Sequence, residues 1–119
     1  IIKFIKYNIK HKKNYFFDIG ANVGLISKQL QNLNLNIKNY FCFEPEINNF
    51  KILNKNLKNK NTYLYNYGLA SKNRKTKIFV NNLNKSDNSI YLDNYLNTKN
   101  NLSEINLKDS NIVLKKIYL

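Results

Sequence analysis

Phe16-Phe17-Asp18-Ile19-Gly20-Ala21-Asn22-Val23-Gly24-Leu25 is the stretch that decides the fold. An apolar run ends in an acid, two glycines follow four residues apart, and an apolar helical pattern begins directly after. That order predicts a strand, a tight glycine turn and a helix N-terminus, which is where α/β proteins hold nucleotide-like ligands. The chain holds three glycines, two of them in this turn, while Gly68 follows another strand-like segment. A residue without Cβ reaches φ > 0 and lets a ligand come close to the backbone.

Outward from the turn, residues 15–19 read as a strand. Residues 23–33 read as a helix with Val23, Ile26, Leu30 and Leu33 on one face. Residues 39–43 form a second apolar run that ends in Glu44-Pro45, and Ile47, Phe50, Leu53 and Leu57 then recur at helix spacing, with Pro45 at or just before the first turn. Residues 62–66 are the third strand, ending near Gly68. This β-α-β-α-β alternation predicts an α/β fold: a Rossmann-like, mostly parallel sheet with flanking helices and right-handed crossovers.

Three stretches divide the single domain. Residues 1–13 carry Ile1, Ile2, Ile5 and Ile9 at i, i+4 spacing and predict a leading amphipathic helix; residues 14–70 form the ligand-binding half; residues 71–119 form a strand and loop region. In the last stretch, residues 76–80 read as a short strand and 81–88 as a polar loop. Residues 90–96 and 102–107 read equally as strands or helical turns, and 112–114 with 117–119 read as one closing strand. The 119 residues are short for a complete doubly wound enzyme. The chain begins without Met and stops at Leu119 inside an apolar stretch, so the second half of the sheet is expected to lie beyond it.

The formal charge is +13, yet Arg74 is the sole arginine among 20 basic residues, whereas phosphate and base recognition favour the planar arginine fork. Lys, Asn, Ile, Tyr and Phe are common and Ala occurs only at 21 and 70, a preference that follows adenine- and thymine-rich codons. Nucleic acid is therefore not the expected partner. No apolar run approaches the roughly 18 residues of a membrane span. The lone Cys42 sits in an apolar run, which points to a small buried thiol in a reducing cytoplasm. With His11 the one histidine and no second cysteine, no metal site is expected.

A dinucleotide fingerprint requires a glycine two residues after Gly20, where this chain has Asn22. The D-x-G-x-x-x-G pattern instead resembles motif I of class I S-adenosylmethionine-dependent methyltransferases. Glu44, at the end of the second strand, stands where an acid accepts hydrogen bonds from both ribose hydroxyls. Residues 17–24, then Phe43-Glu44-Pro45 leading into Asn49-Phe50 and Leu53, then Tyr67-Gly68-Leu69-Ala70-Ser71, resemble the FkbM-family methyltransferases, over about residues 15–92 with Ser89-Ile90 in a family loop.

The resemblance implies S-adenosylmethionine as cofactor and O-methylation of a small-molecule or glycan hydroxyl. It implies that Asp18, Gly20, Ala21, Asn22 and Gly24 surround the methionine and sulfonium end, that Glu44 holds the ribose, and that the turn at 66–69, with Gly68 and Leu69, lies near the adenine. Two structural readings stand beside it: Asp18 as a cap of the glycine turn, and Glu44 as a helix N-terminal acid. Family members continue with a Thr-Leu-Asp segment, which residues 116–119 resemble the lead into, and then with an acidic strand on the acceptor side. No catalytic base is assigned in this chain, and Asp87, Asp93, Glu104 and Asp109 read as loop acids. The competing readings are a nucleic-acid-binding or RNA-modifying protein of the same fold, with Tyr63 and Tyr65 stacking on bases, and an inactive remnant.

Overall fold

A computed structural model describes residues 14–80 and 102–118. Strands β1 (Asn14–Ile19), β2 (Ile37–Phe43) and β3 (Thr62–Tyr65) form a parallel sheet in the order β1-β2-β3. Parallel neighbours need a crossover, and helices α1 (Leu25–Asn32) and α2 (Ile47–Asn56) supply the two. The central strand β2 is buried on both sides, from Tyr40 to Phe43, which is why it reads as an unbroken apolar run rather than an alternating one.

One face of the sheet carries the main core. Ala21, Leu30, Ile37, Tyr40, Cys42, Leu53 and Leu57 are buried together, with Phe16, Leu35, Phe50 and Leu64 packed against them. In α2 the predicted Phe50, Leu53 and Leu57 face inward, whereas Ile47 is exposed and Asn49 takes the buried place in the first turn. In α1 the buried residues are Ser27 and Leu30, and Ile26 is exposed. The predicted Leu30 faces inward, but Ser27, bonded to Asp18, takes the inward place expected of Ile26. The chain between β1 and α1 is a loop with left-handed residues, and helical geometry starts only at Leu25.

The remaining strands build a second, mixed sheet: β4 (Gly68–Ala70), β5 (Arg74–Phe79) and β6 (Leu102–Asp109) in the order β4-β6-β5, with β4 parallel and β5 antiparallel to β6. Ile78, Ile105 and Leu107 form its small core, with Ala70 and Val80 against them. Residues 102–107 are thus strand. The predicted closing strand of 112–114 with 117–119 is instead, up to Tyr118, helix α3 (Ser110–Tyr118). Asp109 starts it, accepting at Oδ1 from the backbone N–H groups of Asn111 and Ile112 at 2.9 and 3.4 Å, and Lys115 and Lys116 in its last turn suit the negative end of the helix dipole. The apolar residues Ile112, Val113 and Ile117 fit a helical repeat as well as a strand, and the Asp109 cap decides between them.

The described part is therefore an α/β structure with a small parallel sheet, a second mixed sheet and three helices. None of these helices is long and apolar enough to cross a membrane. The predicted leading helix at 1–13, with His11, and the predictions for 81–96 lie outside the described residues.

Candidate functional site

Leaving β1, the chain folds over the carboxyl end of β2: the N–H groups of Gly20 and Ala21 both donate to the carbonyl of Phe43, at 2.9 and 3.0 Å. Three alternate residues then take positive φ, Gly20 at 78°, Asn22 at 52° and Gly24 at 84°. Asparagine tolerates this region better than other side chains, so the loop needs two glycines rather than three. Gly24 N–H closes the turn on the carbonyl of Ala21 at 2.8 Å, and Asn56 Nδ2 at the end of α2 donates to the carbonyl of Val23 at 2.8 Å.

The two glycines serve different ends. A Cβ on Gly20 would meet nothing within 4 Å among the described residues, so there the loop crest opens to space a ligand can enter. A Cβ on Gly24 would lie 2.6 Å from Leu53 Cδ1 and 3.1 Å from Leu57 Cδ1. Gly24 is the point where the loop presses on α2, beneath the crest. Ala21 likewise turns its methyl into the core and leaves its backbone to the loop.

Glu44 joins the loop to the next strand. Its Oε2 accepts from the Asn22 N–H at 2.8 Å and its Oε1 from the Glu46 N–H at 2.9 Å, with the residue only 5% exposed. Each carboxylate oxygen has two lone-pair directions, so each keeps one for a further donor. Burial pushes the Glu44 pKa upward, against the two backbone bonds that lower it, while the nearby Glu46 and Asp18 carboxylates add to the rise.

The helix N-terminal acid is Glu46, not Glu44. Glu46 is the N-cap of α2 and accepts at Oε2 from the Asn49 N–H at 2.8 Å, with Asn48 Nδ2 at 3.1 Å on Oε1. Sequence reasoning missed it, although an acid directly after Pro45 and before an apolar helical run is an N-cap signal. Glu44 is thereby left outside the helix, on the carboxyl edge of the sheet.

Asp18 sits below the loop and is bound to α1. Ser27 donates its hydroxyl to Asp18 Oδ2, and the Ser27 N–H reinforces the pair. Burial raises the Asp18 pKa, and these two bonds oppose the rise. The same hydroxyl lies 3.3 Å from Cys42 Sγ, a fully buried thiol whose pKa burial pushes up to about 11. Asp18 thus fastens the first turn of α1 to the end of β1, a variant of the capping role and not a contact at the crest.

Asn66, just after β3, donates from Nδ2 to the carbonyls of Glu44 and Pro45 at 2.9 and 3.3 Å. This brings the turn at 66–69 beside Glu44, and Gly68 packs against Pro45 and Leu107. Gly68 and Leu69 themselves belong to β4 and pair with Leu107 and Lys108 of β6. Of the residues singled out in the sequence, Asn22 and Glu44 are bonded directly at the carboxyl edge, and Gly20 is tied to Phe43 beside them. Asp18, Ala21 and Gly24 support them from below, and Gly68 and Leu69 flank them.

No family model, curated protein or solved structure matches this chain. The chemistry of the edge is therefore read from its own residues. It offers carboxylates at the ends of β1 and β2, Asp18 and Glu44, an open backbone crest at Gly20, and spare acceptor positions on Glu44. Such a donor set suits a ligand with a diol and a cationic group, because carboxylates accept from hydroxyls and attract positive charge. It would repel a phosphate placed against Glu44.

Proposed function

We propose that this chain carries the cofactor-binding part of an S-adenosylmethionine-dependent methyltransferase acting on a small-molecule or glycan hydroxyl. The observation that supports the reading best is the junction of the left-handed loop at 20–24 with Glu44: an open glycine crest on one strand end, hydrogen-bonded to an acid on the next. When bound, S-adenosylmethionine would supply an electrophilic methyl group for in-line transfer to an acceptor hydroxyl, with S-adenosylhomocysteine as leaving group and the hydroxyl proton released to solvent or to a base.

The chain's own contribution is positioning. Glu44 accepts from the ribose hydroxyls through the lone pairs left over from Asn22 and Glu46. The loop backbone around Gly20 admits the methionine end, and Asp18 and Glu44 together give the edge a negative field that favours the cofactor's cationic groups within a strongly basic chain. The Asn66 to Leu69 turn, held beside Glu44 by the Asn66 amide, borders the adenine. Proximity and alignment are the main means of acceleration in such a transfer.

Calorimetric titration with S-adenosylhomocysteine tests this. Saturable binding is expected, and Glu44→Ala, which removes a charged acceptor, weakens it by about tenfold or more. Absence of binding, or an unchanged affinity in Glu44→Ala, overturns the proposal. Steeply salt-dependent RNA binding without cofactor binding would move the assignment to a nucleic-acid partner.

A further inference from the structure

The parallel sheet has a second face, and aromatic rings tile it. Phe17, Phe41 and Tyr63 are register partners across the three strands, with ring centroids 4.9 and 5.2 Å apart and planes inclined by 19° and 14°. Tyr118 of α3 closes one end of this column against Phe17 at 5.6 Å. The other end is Tyr63 on β3, the last strand of its sheet, and Tyr63 is 45% exposed. A second column pairs Phe43 with Tyr65 at 4.8 Å, and Tyr67 leans on both rings at 5.9 and 5.5 Å.

A cavity of about 520 Å³ opens where these columns end, between the sheet and α3. Its wall includes Phe41, Tyr63, Tyr65 and Tyr67 on one side and Lys108 and Lys116 on the other, and neither Glu44 nor any residue of the 20–24 loop lines it. Its size suits a small organic molecule. Rings stacked in register across strands leave a π face wherever the sheet stops supplying the next ring, and a planar molecule there continues the column in offset-stacked geometry.

The charge of the cavity is positive. Asp109, the acid among its lining residues, is engaged at the N-terminus of α3, and the ion pair seen among the described residues, Lys75 with Glu104, uses neither Lys108 nor Lys116. Burial holds the Tyr65 and Tyr67 hydroxyls above the ordinary tyrosine range, so at neutral pH they add hydrogen-bond donors and no negative charge.

We propose that this cavity is a binding site, separate from the Glu44 edge, for a small planar aromatic ring bearing an anionic group. The ring stacks at the open end of the Tyr63 and Tyr65 columns and the anion pairs with Lys108 and Lys116. A nucleoside monophosphate and an aromatic carboxylate share this chemistry, and AMP and 1-naphthoate serve as their probes. The site does not depend on the cofactor assignment.

Titration of the isotope-labelled full chain, followed by nuclear magnetic resonance, reads both affinity and location. Saturable shifts at Tyr63, Tyr65 and Lys116 with at least one probe are expected, and the tighter probe identifies the source. Adenosine and ribose 5-phosphate, each lacking one half of the AMP chemistry, and benzyl alcohol, an uncharged arene, bind about tenfold more weakly or worse. Tyr63→Leu keeps an apolar side chain but no π face and weakens binding about tenfold, by the usual worth of one aromatic stack, while Tyr63→Phe retains it. Lys116→Glu weakens binding of the anionic probe and leaves the uncharged compounds unaffected. Shifts confined to the 20–24 loop and Glu44, equal binding of charged and uncharged compounds, or an unchanged affinity in Tyr63→Leu would each overturn the proposal. Loss of S-adenosylhomocysteine binding in Glu44→Ala, with these shifts intact, separates the two sites.

Discussion

Replacing Gly24 by alanine tests whether the loop is built as described. Gly24 has φ 84°, where an L-residue with a Cβ costs about 1–2 kcal/mol relative to glycine. The added methyl would also lie 2.6 Å from Leu53 Cδ1 and within 3.2 Å of two Leu57 atoms. Leu53 is fully buried, so relief requires repacking, and overpacking of this kind costs about 1–3 kcal/mol. The sum, about 2–5 kcal/mol, is a large share of the roughly 5–15 kcal/mol that holds a domain folded. Gly20→Ala is the internal control. Its φ of 78° is equally unfavourable, but nothing among the described residues lies within 4 Å of its Cβ, so only the backbone term of about 1–2 kcal/mol applies. Urea unfolding followed by circular dichroism should therefore place Gly24→Ala below Gly20→Ala by about 1–3 kcal/mol. In a Leu53→Ala background the methyl has room, and the cost of Gly24→Ala should fall toward that of Gly20→Ala. Equal destabilisation by the two alanines would refute the distinction between an open crest and a glycine pressed on α2.

Three other outcomes follow from the same geometry. Glu46→Ala removes the side-chain acceptor for the Asn49 N–H and should cost about 1 kcal/mol, seen as a lower thermal midpoint, while S-adenosylhomocysteine affinity stays unchanged; a lost affinity would place Glu46 in the site. Cys42, fully buried with its pKa near 11 against an ordinary 9.0, should react with a thiol-specific disulfide reagent about 100-fold more slowly in the native chain than in urea, and comparable rates would contradict its burial. The Asp18 and Glu44 carboxyls have folded pKa values raised above 3.8 and 4.5 by burial, so in that window the native state binds more protons than the unfolded one. Stability must then fall as pH rises through the window. Asp18→Asn should flatten this part of the profile in pH-dependent unfolding, and a variant profile as steep as the parent's would count against the assignment.

The alternation of strands and helices up to residue 65 was legible because each element carries its own period and punctuation. The three strands of the parallel sheet stand where their apolar runs stand, and α2 begins just after Pro45 as its spacing predicts. Errors arose where a buried polar residue breaks the apolar period or where a period fits either structure. In α1 the polar Ser27 is buried against Asp18 in place of Ile26, which no apolar count detects, and residues 112–118 satisfy a helix and a strand about equally until Asp109 caps them. The site was half legible. Glycines and an acid at strand ends announce themselves, whereas Ser27, Asn56 and Asn66 act through partners 9 to 33 positions away, and no local pattern marks them.

Sequence by itself determined the parallel β-α-β-α-β order, the turn at 18–24 and the acid at 44, because these depend on local periodicity and on backbone freedom that particular residue types confer. Tertiary structure alone decided which glycine faces open space and which faces Leu53, that Glu46 caps α2 while Glu44 reaches Asn22, and that Phe17, Phe41 and Tyr63 form one column of rings. Those are relations between strands brought into register, and register exists only once the chain has folded.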